Sequence, residues 1–280
     1  LFTSLVWTAI LVPIQRSEFG RYLDSRFAKR VDFAIRDRWA TPTVIDERLK
    51  IYALDDRTKA KTGDRFLKAE GVATLINLFV KNRPTAILID GMFSTPSGQE
   101  SQLVAALEQA KAAGVRVGFG SFFTKNELLF DKPIDPGRAE YSLSSMLGED
   151  AKDALLSNQL PPMGDPEELH VYGPLPELRP ALTYIGHIWY NNDGKIKPLV
   201  RLGPDSAIGH MSIYVAQDRR IAHGNLMLDG KLVPVDEHGS VTINWLTTEI
   251  VAQRTWSLIG LLTPSKTISH HRWSSLVTWY

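Results

Sequence analysis

The sequence predicts an α/β protein with a parallel βαβαβ core, an antiparallel hairpin-rich C-terminal part and flanking membrane-proximal helices. Three observations carry this. Two short apolar runs, Ile51-Tyr52-Ala53-Leu54 and Ala86-Ile87-Leu88-Ile89, are unbroken, as in strands buried on both faces, and each gives way abruptly to Asp. The segments between and after them repeat apolar residues at helical spacing. Further on, Asn191-Asn192-Asp193-Gly194 carries the Asp-Gly signal of a tight hairpin turn.

The elements follow in order. Residues 1–14 hold no charged side chain and include Phe2, Leu5, Trp7, Ile10 and Leu11. They are too short to span a bilayer, which takes about 20 apolar residues, and read as the end of a truncated membrane helix with Pro13 near its exit. A buried helix or the remnant of a signal peptide has the same pattern. The first residue is Leu1 rather than Met, which fits a fragment. Residues 15–40 are charged, with Phe19, Tyr22, Leu23, Phe27, Val31 and Ile35 near helical spacing, and predict a long membrane-proximal helix. Its Phe19, Leu23, Phe27 and Val31 are expected to pack on a partner's copy or on residues 248–262.

The core occupies residues 41–262. A first strand at 49–54 precedes a helix marked by Val72, Leu75, Ile76 and Phe79, stopped by Asn82, Arg83 and Pro84. A second strand at 85–89 leads to a helix at 97–113 with Leu103, Val104 and Leu107 inward and Gly114 at its end. A third strand covers 115–119. Residues 122–180 are looser: eight of the chain's 16 prolines fall between Pro133 and Pro180, with a possible helix at 141–156. Strands at 182–190 and 195–202 then flank the Asp193-Gly194 turn, and 205–219 has helical spacing through Ile208, Met211 and Val215. Turns at Asp229-Gly230 and His238-Gly239 separate strands at 225–228, 231–235 and 240–245. The tail, 263–280, carries Trp273, Trp279 and Tyr280, residues enriched where protein meets lipid headgroups. Aromatics packed on a core would look the same. With both ends near a membrane, the termini are expected on one side of the domain.

Composition narrows the function. Hydrophobic residues make up 44% and charged residues 22%, as in globular proteins. Net charge is +1, so no global basic field favours nucleic acid. Cysteine is absent, which removes disulfides, thiolate metal sites and cysteine nucleophiles. Gly118-Phe119-Gly120 lacks the third glycine of a dinucleotide fingerprint, since Phe123 stands there, and no Walker-type loop exists. The seven histidines are scattered, and His187 and His210 read as structural or exposed. The reading is therefore of a non-enzyme.

The candidate ligand-binding residues are Asp55, Asp56 and Asp90. Each follows an apolar strand, at the edge where open α/β sheets bind ligands. Together they would form an acidic mouth suited to a divalent cation. The competing reading is a helix cap or turn former, a role Asp fills often after strands.

At this point the chain resembles the second type of CHASE domain, a sensor module of bacterial membrane receptors. Five features carry the resemblance, in the family's order. They are Asp32-Phe33 to Arg36, the strand ending in Asp55-Asp56, the strand and turn with Asp90 and Phe93, the Gly186 strand running through Asp193-Gly194 to Arg201, and Pro234, Asp236, Gly239, Ile243 and Asn244 near Trp245. Two departures stand out: residues 59–70 lack the family's Trp-Pro-Trp-like segment, and Lys197 stands where an Arg is expected. The resemblance implies an extracytoplasmic or periplasmic domain of an inner-membrane protein, held through flanking membrane helices. It also implies an unidentified small ligand or periplasmic partner and a cytoplasmic output module such as a nucleotide cyclase or kinase. A homodimer is compatible with it, and a purely structural dimerisation module is the alternative. A receiver-like or phosphotransfer domain is another, in which Ser121 and Lys125 would complete an acidic metal pocket with the three Asp residues.

Overall fold

The computed structural model describes residues 48–124, 141–148, 170–188, 195–242 and 255–262, with single positions at 151, 154, 160, 161 and 163. The expected membrane-proximal helix, the two terminal segments and Lys125 lie outside the described residues. Among the described residues no helix is long and apolar enough to cross a membrane.

A sheet of strands β2 (Ala86–Ile89), β3 (Arg116–Thr124) and β5 (Tyr184–His187) forms the centre. All three run parallel: Ala86 to Ile89 align with Arg116 to Phe119, and Gly118 to Ser121 align with Tyr184 to His187. Side chains alternate across a strand, so the register sorts them onto two faces. Ile87, Ile89, Val117, Phe119 and Ile185 share one face and one apolar core. That core is completed by helices α2 (Ala69–Val80) and α3 (Glu100–Ala112). Leu88 and Tyr184 point the other way, into a second core with Met146, Met211, Tyr214 and Leu226. Burial on both faces is why these strands read as continuous apolar runs.

The helices form as their spacing predicts. Val72, Leu75, Ile76 and Phe79 of α2 are all buried, as are Leu103 and Leu107 of α3, while Val104 is only partly covered. Gly114, at φ +72°, lets the chain turn out of α3. Two shorter helices are α1 (Asp56–Thr62) and α4 (Leu143–Leu147), the latter in place of the expected 141–156 helix, although positions 151 and 154 are also helical.

Strand β1 (Ile51–Ala53) departs from the expected βαβαβ core. It pairs in parallel with β13 (Thr255–Ser257), not with β2, and helix α5 (Leu258–Leu262) follows at once. The pair is fixed by side chains: Tyr52 packs on Phe79, ring centroids 5.3 Å apart, and on Trp256 at 6.0 Å. β3 also runs longer than the expected 115–119. Its last residues, Phe122 to Thr124, pair antiparallel with β4 (His170–Tyr172), where Phe122 stacks on Tyr172 at 5.7 Å.

The C-terminal part is antiparallel, with three corrections. The strands expected to flank Asp193-Gly194 do not pair with each other among the described residues. β5 joins β3, β6 (Lys195–Ile196) pairs with β12 (Val241–Thr242), and β7 (Leu199–Arg201) pairs with β8 (Ala207–Gly209). The helix expected at 205–219 is replaced by β8 and a 3-10 turn, Met211–Val215. The three residues that gave the helical spacing part company: Ile208 packs in the first core, Met211 in the second, and Val215 is exposed. The His238-Gly239 turn does not join neighbouring strands, since β11 (Lys231–Leu232) pairs with β10 (Asn225–Leu228). The hairpin at Asp229-Gly230 forms as expected, with both residues at positive φ (48° and 74°). A further hairpin, between β9 (Arg219–Ala222) and β10, turns at His223-Gly224 with φ 51° and 72°. Positive φ at both central residues suits the right-handed twist of the strands.

Candidate functional site

Asp55, Asp56 and Asp90 occupy three different environments. Asp55 caps α1. Its Oδ1 accepts from the Thr58 backbone N at 2.9 Å, from Thr58 Oγ1 at 2.8 Å and from Ser257 Oγ at 2.8 Å. Thr58, fully buried, in turn accepts from Ile259 N at 3.1 Å. Asp55 thus ties the start of α1 to β13 and α5. These bonds, from Thr58 first, hold its carboxyl below the ordinary range. Asp56 opens the first turn of α1 and is exposed, where a negative charge suits the helix dipole. Among the described residues no group of three or more His, Asp or Glu side chains is placed to hold a metal ion, so the cation mouth expected of the three Asp residues is not formed there.

Replacing Asp55 by Ala removes the cap and the link to Ser257. The expected loss is about 1–2 kcal/mol of stability, with Asp55→Asn retaining most of it. Urea melts of the two variants at neutral pH check this; equal midpoints for Ala and parent would refute the cap's contribution.

Asp90 stands apart. It follows β2 directly and lines a cleft of about 550 Å³ that neither Asp55 nor Asp56 lines. The turn after it is held from two sides: Gly120 N donates to Gly91 O at 3.1 Å, and Leu175 N donates to Phe93 O at 3.0 Å. Phe93, at φ +49°, sets its ring 5.0 Å from Phe119. The walls are apolar, with Leu54, Phe66, Val72, Phe93 and Leu178 among them. Exposed Lys59 and Lys68 stand at the rim. Among the described residues Asp90 makes no hydrogen bond and no ion pair, and burial pushes its carboxyl up from the ordinary range. A nearby cation or hydrogen-bond donor would reverse that shift. The other carboxylate lining the cleft among the described residues, Glu100, is already engaged, accepting from Ser97 N, from Ser97 Oγ at 2.9 Å and from Gly98 N at 3.2 Å.

The sheet edge and Asp90 are legible in the sequence; the walls of the cleft are not. Lys59 comes from α1, and Phe66 and Lys68 from the stretch between α1 and α2. The signal available there was Phe66-Leu67, an apolar pair flanked by cations.

At the same end of β3 and β5, Ser121 and His187 align and are both fully buried. His187 lies 5.1 Å from His210, rings near perpendicular, and 5.4 Å from Phe123. Burial pushes His187 well below its ordinary value, and the charge His210 would carry adds to this; burial takes His210 down to about 4. His210 Nδ1 also accepts from Ser212 N at 3.2 Å, a role only the unprotonated nitrogen can fill. Both folded-state values are depressed, so this contribution to stability is present above the unfolded value of about 6.5 and is lost as pH falls through the folded one. Melting temperature should fall from pH 7 to pH 4, and His210→Asn, which keeps a capping acceptor but does not titrate, should fall less. An identical pH profile for parent and variant would refute the linkage.

Compared with known proteins, the chain matches no family model, no curated protein and no solved structure. What defines the site is its own geometry: a mixed α/β fold with a preformed, mainly apolar cleft at a strand end and one unengaged carboxyl group inside it.

Proposed function

We propose that this chain is the extracytoplasmic sensor domain of a bacterial transmembrane receptor, similar to the second type of CHASE domain. A small ligand binds in the Asp90 cleft and regulates a cytoplasmic output module such as a nucleotide cyclase or kinase. The observation that carries the reading is the half-buried Asp90 carboxyl without a partner, at the C-terminal end of a parallel strand, in a cleft of about 550 Å³. Ligand pockets have this build: apolar walls, a volume of roughly 300–1,000 Å³ and a few polar groups that fix orientation. Ligands of α/β sheets bind at this edge. The motif order from Asp32 to Trp245 supports the family assignment, and the apolar, aromatic ends support membrane tethering.

The ligand places a cation or a hydrogen-bond donor on Asp90 and an apolar body against Phe66 and Phe93. Binding then favours one of two arrangements of the membrane-proximal helix. The test is to express the protein in a bacterial inner membrane, joined to a cytoplasmic output module, and expose it to culture filtrate. The parent's output should respond and that of Asp90→Asn should not. Equal responses from the two would overturn the assignment of the site, and no response from the parent would overturn the sensor reading.

A further inference from the structure

A second cleft, of about 360 Å³, opens at the opposite edge of the sheet, where β3 and β5 begin. Among the described residues Arg116, Arg179 and Arg219 line it, and no Asp or Glu does. Among the described residues none of the three guanidinium groups makes an ion pair. Their partners are neutral carbonyls. Arg116 Nη1 donates to Tyr214 O at 3.1 Å and Ala216 O at 3.2 Å, and Nη2 to Val215 O at 3.1 Å. Arg219 donates from Nε to Met146 O at 3.3 Å and from Nη1 to Ala216 O at 2.7 Å. Arg179 uses Nε alone, on Pro174 O at 2.7 Å. Both terminal nitrogens of Arg179 and Nη2 of Arg219 therefore remain for a ligand.

Three like charges facing one half-enclosed space repel, and each gains from an anion placed between them. Burial, with the neighbouring Arg116 charge, already pushes Arg219 down from its ordinary value. The Tyr184 hydroxyl adds a neutral donor. It is buried and has no hydrogen-bond partner among the described residues, and the charges of Arg116 and Arg219 both act on it. Buried polar groups are nearly always paired, so an orphan beside unpaired cations marks a missing acceptor. Planar carboxylates satisfy one guanidinium fork. A tetrahedral dianion offers three oxygens in different directions and matches donors arriving from separate strands and loops.

The geometry points to a binding site for a phosphoryl group, as free phosphate or as a small phosphate monoester, held by Arg179 and Arg219 with the Tyr184 hydroxyl as a further donor. Leu182, Ile185 and Met146 give the apolar wall that an ester's organic part would touch. The site is separate from the Asp90 cleft and does not depend on it.

Thermal melts and titration calorimetry on the 280-residue chain test this, with inorganic phosphate, phenyl phosphate, succinate and sodium chloride at matched ionic strength. Both phosphates should raise the melting temperature and chloride should not. Tighter binding of phenyl phosphate identifies the monoester as the ligand source, and tighter binding of phosphate identifies the free ion. Arg179→Gln should weaken phosphate binding about ten-fold or more, the worth of one charge-assisted contact. Tyr184→Phe deletes only an unpartnered hydroxyl. It should leave the free chain's melting temperature unchanged or higher and still weaken phosphate binding. No phosphate effect beyond that of chloride, succinate matching phosphate, or unchanged affinity in both variants would overturn the proposal.

Discussion

Gly118→Ala is expected to cost about 3 kcal/mol or more of stability, at the upper end of what overpacking a core does. Gly118 lies opposite Tyr184 in the parallel register of β3 and β5. A methyl group there would sit 1.8 Å from Tyr184 Cε2 and 2.2 Å from Cδ2. The tyrosine cannot swing away, because its ring is stacked on Tyr214, centroids 4.5 Å apart and planes within 3°. Tyr214 is itself held, its hydroxyl donating to Met146 Sδ at 3.3 Å and Arg219 lying over its ring at 5.4 Å. The substitution must therefore move a strand or unstack both rings. Chemical denaturation of the variant checks this. A midpoint within experimental scatter of the parent would mean that the two tyrosines repack freely, and that the second core is far softer than its geometry indicates.

Leu103→Ala is expected to cost about 2–5 kcal/mol, the range for emptying a fully enclosed leucine site. Leu103 has 0% exposure and lies on α3 in the core shared with α2 and the sheet. Exposed Gln102, one residue away, is the control and should change stability by less than about 0.5 kcal/mol when replaced by Ala. Equal losses at the two positions would contradict the assigned helix face.

These two sites mark what the sequence made legible and what it hid. Leu103 was readable because a helix packs with a short, local period, and Val72, Leu75, Ile76 and Phe79 were readable for the same reason. The Asp229-Gly230 turn was readable because its chemistry is local too. Gly118's role was hidden, since its constraint comes from Tyr184, and parallel pairing between distant strands leaves no local mark. The same cause moved β5 away from the expected Asp193-Gly194 hairpin and gave β1 a partner near the far end of the described chain. Residues 205–219 misled because Gly209 sits under Ile213, so close that a side chain there would fall 2.5 Å from Ile213 Cδ1, and the segment folds as strand and tight turn instead of helix. Of the candidate site, the strand-end carboxylates were visible. Their division into a cap at Asp55 and an unengaged group at Asp90 was not, because it is decided by Ser257, 202 residues from Asp55. The arginine cleft gathers positions 116, 179 and 219 and has no sequence pattern at all.

The pairing of β1 with β13 has a mechanical meaning. The strands are parallel, in the register Ile51 to Thr255 through Ala53 to Ser257. Tension applied to the beginning of one and the end of the other loads their hydrogen bonds together, in shear, where an antiparallel hairpin pulled from its open end would unzip one bond at a time. The Ser257 to Asp55 bond and the Thr58 to Ile259 bond lie at the pulled end of β13 and share that load. The two ends of the described fold are thus joined by a clasp that carries a pull from one flank to the other as a single rigid displacement.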